Sequence, residues 1–210
     1  MCAIALLRMN NMSFDPQNFD GTELLHLAID AANRDDHGQA ITYLKAAQEK
    51  KLPSDEYAKL SYFLGAEYAQ IGMYDRAVEA MQLAVDADPR LHTACFQLGL
   101  LHLTSGRAMA AREAWTQLAL LEVGHPEHYL NLFKQGLEAL ADDDFGNCRK
   151  WLNLGMQNNQ ANPALNVDMQ KMLDALPPED VRAAEPAPDD ANSKPEDHLF
   201  LSAYRSRDTH

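Results

Sequence analysis

An internal repeat constrains this chain more than any other feature of its sequence. Four positions of one segment recur 34 residues later, always with residues of similar size or character. The pairs are Gly65 and Gly99, Gly72 and Gly106, Ala77 and Ala111, and Met81 and Trp115. A fixed period of this length is typical of arrays in which each copy is one supersecondary unit that packs against its neighbours. We therefore expect a repeat architecture.

Each copy contains two segments in which the apolar residues follow helical spacing. In the clearest copy they are Leu60, Leu64, Tyr68 and Ile71 in the first segment, and Ala77, Met81, Ala84 and Val85 in the second. Gly72 and Gly106 lie between the paired segments, where a left-handed residue ends a helix at low cost. The pattern predicts an all-α chain built from helix hairpins.

These residues resemble the tetratricopeptide repeat (TPR), whose pattern is W-x2-L-G-x2-Y, then A-x3-F, then P. Residues 58–91 match this pattern best and depart from it at Ser61, where the family prefers Trp. The matching residues are Leu64, Gly65, Tyr68, Ala77, Met81 in the Phe position, and Pro89. Residues 92–128 form a second copy, and weaker copies cover residues 21–57 and 129–165. The resemblance implies a right-handed superhelical array of about four TPR hairpins.

The segments outside these copies carry different patterns. Residues 164–176 place their apolar residues on one helical face, so we predict a C-terminal capping helix and nine helices in all. Residues 1–20 are expected to form a poorly ordered leader. Residues 177–210 are rich in proline and acidic residues, which predicts a disordered tail. That tail ends in an apolar segment, Leu199 to Tyr204.

Charge and cysteine content exclude several classes of function. The chain has 18 basic and 31 acidic residues and a net charge of −13, which disfavours binding to nucleic acid or to an anionic membrane surface. No stretch approaches the roughly 18 consecutive apolar residues of a membrane-spanning helix. The three cysteines are too few for a disulfide framework, so we expect reduced thiols and a cytoplasmic protein.

No catalytic motif is present in the sequence. It has no phosphate-binding Gly-Lys-Ser/Thr loop, no Gly-x-Ser-x-Gly elbow and no His-Glu-x-x-His pair. We therefore predict a protein that is not an enzyme and that uses no cofactor and no metal. The alternative is a metal-dependent enzyme that uses His125 and His128, which lie close together between two copies.

The resemblance also identifies candidate binding residues, because TPR arrays direct the fifth, ninth and twelfth residues of each copy toward a concave groove. Those positions are largely apolar or aromatic here, and Lys59 and Gln70 would form polar edges. The predicted groove residues are Lys59, Tyr62, Ala66, Gln70, Phe96, Leu100, Leu103, Phe133 and Leu137. The alternative interpretation is that several of these side chains belong to the core.

The groove pattern favours one class of partner. TPR modules that bind the C-terminal carboxylate of chaperones carry Lys and Asn where this chain has Tyr62 and Ala66, and only Asn33 fits that set. The predicted function is an adaptor or scaffold that binds a peptide segment of a partner protein in an apolar groove. The alternatives are a chaperone for hydrophobic segments of secreted proteins and a self-assembling structural protein. A further hypothesis is that the segment Leu199 to Tyr204 occupies the groove of its own chain or of a neighbouring copy.

Overall fold

The computed structural model describes residues 15–178, which form helices and contain no strand. The α-helices are α1 (Gly21–Ala32), α2 (His37–Gln48), α3 (Ser54–Gln70), α4 (Tyr74–Ala87), α5 (His92–Thr104), α6 (Ala108–Trp115), α7 (Ala119–Gly124), α8 (Tyr129–Ala141), α9 (Phe145–Asn158) and α10 (Pro163–Ala175). Short 3-10 helices cover Pro16–Asn18 and Thr116–Leu118. None of these helices is both long enough and apolar enough to cross a membrane.

Successive helices pack as hairpins, and the hairpins pack side by side. The pairs are α1 with α2, α3 with α4, α5 with α6, and α8 with α9, while α10 follows the last pair. We call α1, α3, α5 and α8 the first helices and their partners the second helices. The prediction of an all-α array of helix hairpins is confirmed over residues 15–178.

All four hairpins turn through one residue with a left-handed backbone. Gly72 and Gly106 have φ angles of 74° and 77°, as expected for glycine at the end of a helix. The other two turns use Asp35 and Asp143, with φ angles of 57° and 55°. Aspartate tolerates this conformation better than most residues, which explains why the glycine period is absent from the two weaker copies.

Within the last three hairpins a glycine of the first helix faces a large side chain of the second helix 16 residues later. These pairs are Gly65 with Met81, Gly99 with Trp115, and Gly136 with Leu152. The Trp115 indole nitrogen also donates a hydrogen bond to the carbonyl oxygen of Phe96 at 3.0 Å. The missing Cβ therefore lets two helices approach closely enough to bury these side chains completely or almost completely.

The second helix of the third hairpin is interrupted, so that residues 15–178 contain ten α-helices where the sequence predicted nine. α6 ends at Trp115, a 3-10 turn follows, and α7 resumes at Ala119. The hydroxyl of Thr116 donates to the carbonyl oxygen of Glu113 at 2.7 Å. Such a bond competes with the helical backbone pattern and favours a tighter turn at this point.

The two ends of the described region lie near predicted domain boundaries. Residues 15–20 belong to the segment that we expected to be poorly ordered, yet they form a 3-10 helix and the Asp20 cap of α1. At the other end, Arg149 donates a hydrogen bond to the carbonyl oxygen of Pro177. Residues 1–14 and 179–210 lie outside the described residues, and the predictions of a poorly ordered leader and a disordered tail stay predictions for them.

Candidate functional site

Most of the predicted groove residues either are buried or line a cavity. Phe96, Leu103, Phe133 and Leu137 are fully buried, and Leu100 is almost fully buried. The first four side chains contact no solvent, so the expectation that they line an open groove needs correction. They belong to the core, as the alternative interpretation held.

Stacking between aromatic rings explains this burial. The ring of Phe96 lies 6.3 Å from that of Trp115 and 6.2 Å from that of Phe133, measured between centroids. Tyr129 adds an edge contact to Phe133 at 6.0 Å. A Cβ on Gly155 of α9 would overlap the Phe133 ring, so this ring fills the space between α8 and α9. The third and fourth hairpins thus use these positions to pack against each other.

The sequence of α5 indicates that this helix is buried, although its predicted groove positions considered separately do not. Its apolar residues surround the helix instead of forming one stripe, and a helix that is apolar on all sides is normally buried. Eight of its residues are in fact buried: Ala94, Cys95, Phe96, Leu98, Gly99, Leu100, Leu101 and Leu103. α5 packs against α4, α6 and α8, which accounts for the burial of these side chains.

A cavity of about 220 Å³ opens between α1 and α3. We call it the α1–α3 cavity. Its lining residues are Ala28, Ile29, Ala32, Asn33, Leu44, Tyr62, Phe63, Ala66 and Glu67. It is smaller than the roughly 300–1,000 Å³ of pockets for drug-sized molecules, and larger than the roughly 150 Å³ apolar cavity that admits a benzene ring. Its volume therefore suits one or two apolar side chains.

One carboxylate gives this cavity a polar anchor. Glu67 is only 8% exposed, and its Oε2 lies 2.9 Å from Nδ1 of His37 at the start of α2. Burial raises the pKa of the neighbouring Tyr62 phenol, and the nearby Tyr129 acts in the same direction. The Tyr62 hydroxyl therefore remains protonated at neutral pH and is available as a hydrogen-bond donor.

A second cavity, of about 380 Å³, lies between α3, α5 and α10, and we call it the α3–α5–α10 cavity. Its lining residues are Ala69, Gln70, Tyr74, Gln97, Leu100, Leu101, Thr104, Ser105, Asp168, Lys171 and Met172. Two of the predicted groove residues, Gln70 and Leu100, therefore lie here and not in the α1–α3 cavity. Lys59 lines neither cavity and pairs with Asp55 at 3.8 Å on the surface of α3.

The role of α10 was missed from the sequence. Its apolar face is buried through Leu165, Met169, Met172, Leu173 and Leu176, as a capping helix requires. However, Asp168 and Lys171, which pair at 3.5 Å, line the second cavity together with residues of α3 and α5. The amphipathic pattern identified the buried face of α10, but it carried no information about which helices would lie opposite.

The groups that could carry chemistry have structural roles in the described region. Nδ1 of His128 accepts a hydrogen bond from the backbone N–H of Leu130 at 3.2 Å and so caps α8. Burial raises the pKa of the Cys95 thiol to about 11 and that of Cys148 to about 12, which keeps both protonated and unreactive. Residues 15–178 contain no group of three or more His, Cys, Asp or Glu side chains that could hold a metal ion.

Comparison with known proteins identifies one repeat. A family model described as a tetratricopeptide repeat matches residues 58–91, which contain most of α3, the Gly72 turn and α4. This is the copy whose sequence pattern is clearest, and its first helix contributes to both cavities. No curated protein matches the chain.

Proposed function

We propose that this tetratricopeptide repeat protein binds a peptide segment of a partner protein through the α1–α3 cavity. Such repeats generally serve as non-enzymatic protein–protein interaction modules. The cavity itself carries the proposal: it is an open, mostly apolar space on the first-helix face, which is the face that the resemblance assigns to partners. Tyr62 and Ala66 are the two predicted groove residues that we retain as partner contacts.

The lining of the cavity offers apolar side chains that can bind an apolar side chain of the partner, and polar groups that can fix its position. Ile29, Ala32 and Ala66 are partly exposed apolar side chains that can cover an apolar side chain of the partner. Burial of such a side chain contributes about 1.5–3 kcal/mol. Asn33 at the rim and Glu67 inside supply oxygen atoms for donors of the partner segment, which fixes its position.

This site is narrower than the groove expected from the sequence, because the predicted groove residues Phe96, Leu103, Phe133 and Leu137 of the third and fourth hairpins are buried. The partner segment thus contacts the N-terminal half of the array. We propose an adaptor or scaffold role, with the cytoplasm as its compartment, since Cys95 and Cys148 are both free and buried thiols.

Two alanines of α3 provide a matched test. Ala66 lines the α1–α3 cavity, whereas Ala69, one turn further along, lines the other cavity. Ala66→Glu places a second carboxylate beside Glu67 in an apolar space, so partner affinity should fall at least about tenfold. Ala69→Glu changes the net charge equally and should leave that affinity unchanged.

The measurement uses wild type and both variants as bait in native lysate, after circular dichroism has shown equal helix content. A photoreactive residue at Tyr62 then identifies the contacted segment, whose synthetic peptide is titrated against the three proteins. A protein retained by wild type and Ala69→Glu, but lost by Ala66→Glu, is the expected result. If every retained protein is insensitive to Ala66→Glu, the α1–α3 cavity is not the binding site.

A further inference from the structure

An apolar surface extends from the α3–α5–α10 cavity across the turn that joins α3 to α4. Ile71, Met73 and Tyr74 are 43%, 36% and 39% exposed, and Tyr74 also lines the cavity. The cavity adds apolar atoms of Leu100, Leu101 and Met172 to the same surface. Large exposed apolar side chains are common singly, but a cluster next to a cavity indicates a surface that is covered by another segment.

The described part of the chain ends close to this surface. Met172 lines the cavity, and α10 ends three residues later at Ala175, which is about 5 Å further along a helix axis. Arg149 of α9 then holds the carbonyl oxygen of Pro177. The residues that follow Pro178 therefore start from the helix that forms one wall of the cavity.

The sequence that follows contains a segment with the chemistry needed to cover it. Residues 179–198 carry one large apolar side chain, Val181, among acidic residues, prolines and alanines. Leu199, Phe200, Leu201, Ala203 and Tyr204 come next, and then Arg205 and Arg207. Twenty residues separate Pro178 from Leu199. A random coil of that length has an r.m.s. span of about 25 Å, which is enough to return to the cavity.

We propose that residues 199–204 dock in the α3–α5–α10 cavity of their own chain and cover Ile71, Met73 and Tyr74. Asp168 at the cavity is paired with Lys171. The charge that favours docking therefore comes from Arg205 and Arg207, which follow the apolar segment, and from a carboxylate beside the exposed patch. Asp75, the exposed residue after Tyr74, supplies this carboxylate. The α1–α3 cavity stays open in this arrangement, so the inference is independent of the proposed function.

The other apolar segment outside the described residues, Ala3 to Leu7, fits this cavity less well. It precedes Asp15, and the 3-10 helix that follows Asp15 packs against α2. The cavity is lined by α3, α5, α10 and the first residue of α4, and takes no residue from α1 or α2. The C-terminal segment is therefore the occupant that both position and charge favour.

Photo-cross-linking in the full chain tests this proposal. Phe200 is replaced by p-benzoyl-phenylalanine, which exchanges one aromatic side chain for another, and the cross-linked peptides are mapped by mass spectrometry. We expect cross-links to residues 69–74, 97–105 and 168–172. The same photoreactive residue at Asn192, in the polar part of the tail, should give no preferred cross-link in these ranges.

Two further variants test whether the Phe200 cross-link depends on this cavity. Ala69→Glu places a larger, charged side chain in the cavity and should lower the Phe200 cross-link yield about tenfold, because docking of the apolar segment would remove the new carboxylate from water. Ala66→Glu, on the same helix but in the other cavity, should leave the yield unchanged. Equal helix content by circular dichroism confirms that both variants are folded.

The remaining outcomes overturn the proposal. Cross-links that map to the α1–α3 cavity, or an absence of cross-links to the three expected ranges, would show that the segment does not dock here. A mixture of ¹⁴N- and ¹⁵N-labelled protein separates contacts within one chain from contacts between chains. Mixed-isotope cross-links as the main product would assign the cavity to a second copy and reject docking within the chain.

Discussion

Gly99 lies where the first and second helices of the third hairpin come closest. Its place in the middle of α5 costs helix propensity, about 1 kcal/mol relative to alanine. The indole of Trp115 occupies the space that a Cβ would fill, and it bonds to the Phe96 carbonyl from there. The glycine therefore permits a buried hydrogen bond and the stacking of Trp115 on Phe96.

Gly99→Ala should lower the free energy of unfolding by about 2 kcal/mol, because the overlap with Trp115 must be relieved by displacing a rigid, fully buried ring. Gly38→Ala in α2 is the control, since its Cβ would meet only Asp36 Oδ1 at 4.0 Å. That change should raise stability by up to about 1 kcal/mol. Chemical denaturation followed by circular dichroism measures both, and equal effects of the two changes would contradict the packing argument.

At the scale of the helix, the loops between helices determine how each helix is positioned. The loop between α9 and α10 is organised by Asn159, which is almost fully buried. Its side-chain nitrogen donates to Asn162 O and Asn166 Oδ1, both at 2.7 Å, and its Oδ1 accepts from the N–H of Asn162 at 2.9 Å. Since Asn162 also caps α10, this network fixes the start and the direction of the last helix.

Asn159→Leu should detach α10 from the array in part and lower the free energy of unfolding by about 2 kcal/mol, because it leaves buried backbone and side-chain partners without hydrogen bonds. Hydrogen exchange should accelerate within residues 163–175. The matched control is Asn153→Leu on α9, where the exposed asparagine bonds only to the carbonyl oxygen of Arg149, one turn earlier. If α10 exchanges no faster in Asn159→Leu than in this control, the network does not hold the helix.

For the molecule as a whole, position in the array sets how firmly each hairpin is held. α5 packs against α4, α6 and α8, whereas α1 packs mainly against α2, and only α2 contacts the next hairpin extensively. In a repeat array each unit is stabilised by its nearest neighbours, so an end unit loses one interface. The first hairpin, whose α1 forms one wall of the α1–α3 cavity, is thus supported by fewer neighbouring helices than the third.

Native-state hydrogen exchange should therefore show a gradient along the chain. The amides of α5 and α8 should exchange slowest, and those of α1 and α2 should exchange fastest among the helices before α10. Mass spectrometry of peptides from residues 21–48 and 92–104 provides the comparison. Protection of α1 and α2 equal to that of α5 would show that the whole array unfolds as a single unit.

Much of the fold could be predicted from the sequence because it depends on local spacing. The 34-residue period, the glycines at the turns and the helical spacing of apolar residues indicate hairpins without knowledge of any tertiary contact. The candidate site was predicted less well. Tyr62 and Ala66 line a cavity, and their role as partner contacts stays a prediction, whereas Phe96 and Phe133, at positions equivalent to Tyr62 in later copies, lie in the core.

Equivalent positions of different copies differ in exposure because their side chains project from the same face of a helix but contact different neighbours. A sequence position specifies which face of its helix a side chain occupies, and that follows from the helical period alone. Whether that face stays open depends on the side chains opposite it. Phe133 and Trp115 cover Phe96, whereas Ala28, Ala32 and Ala66 are too small to close the space between α1 and α3. The sequence by itself determined the repeat, its helices and its turns, while only tertiary packing decided where the array is open and that α10 forms a wall of its second cavity.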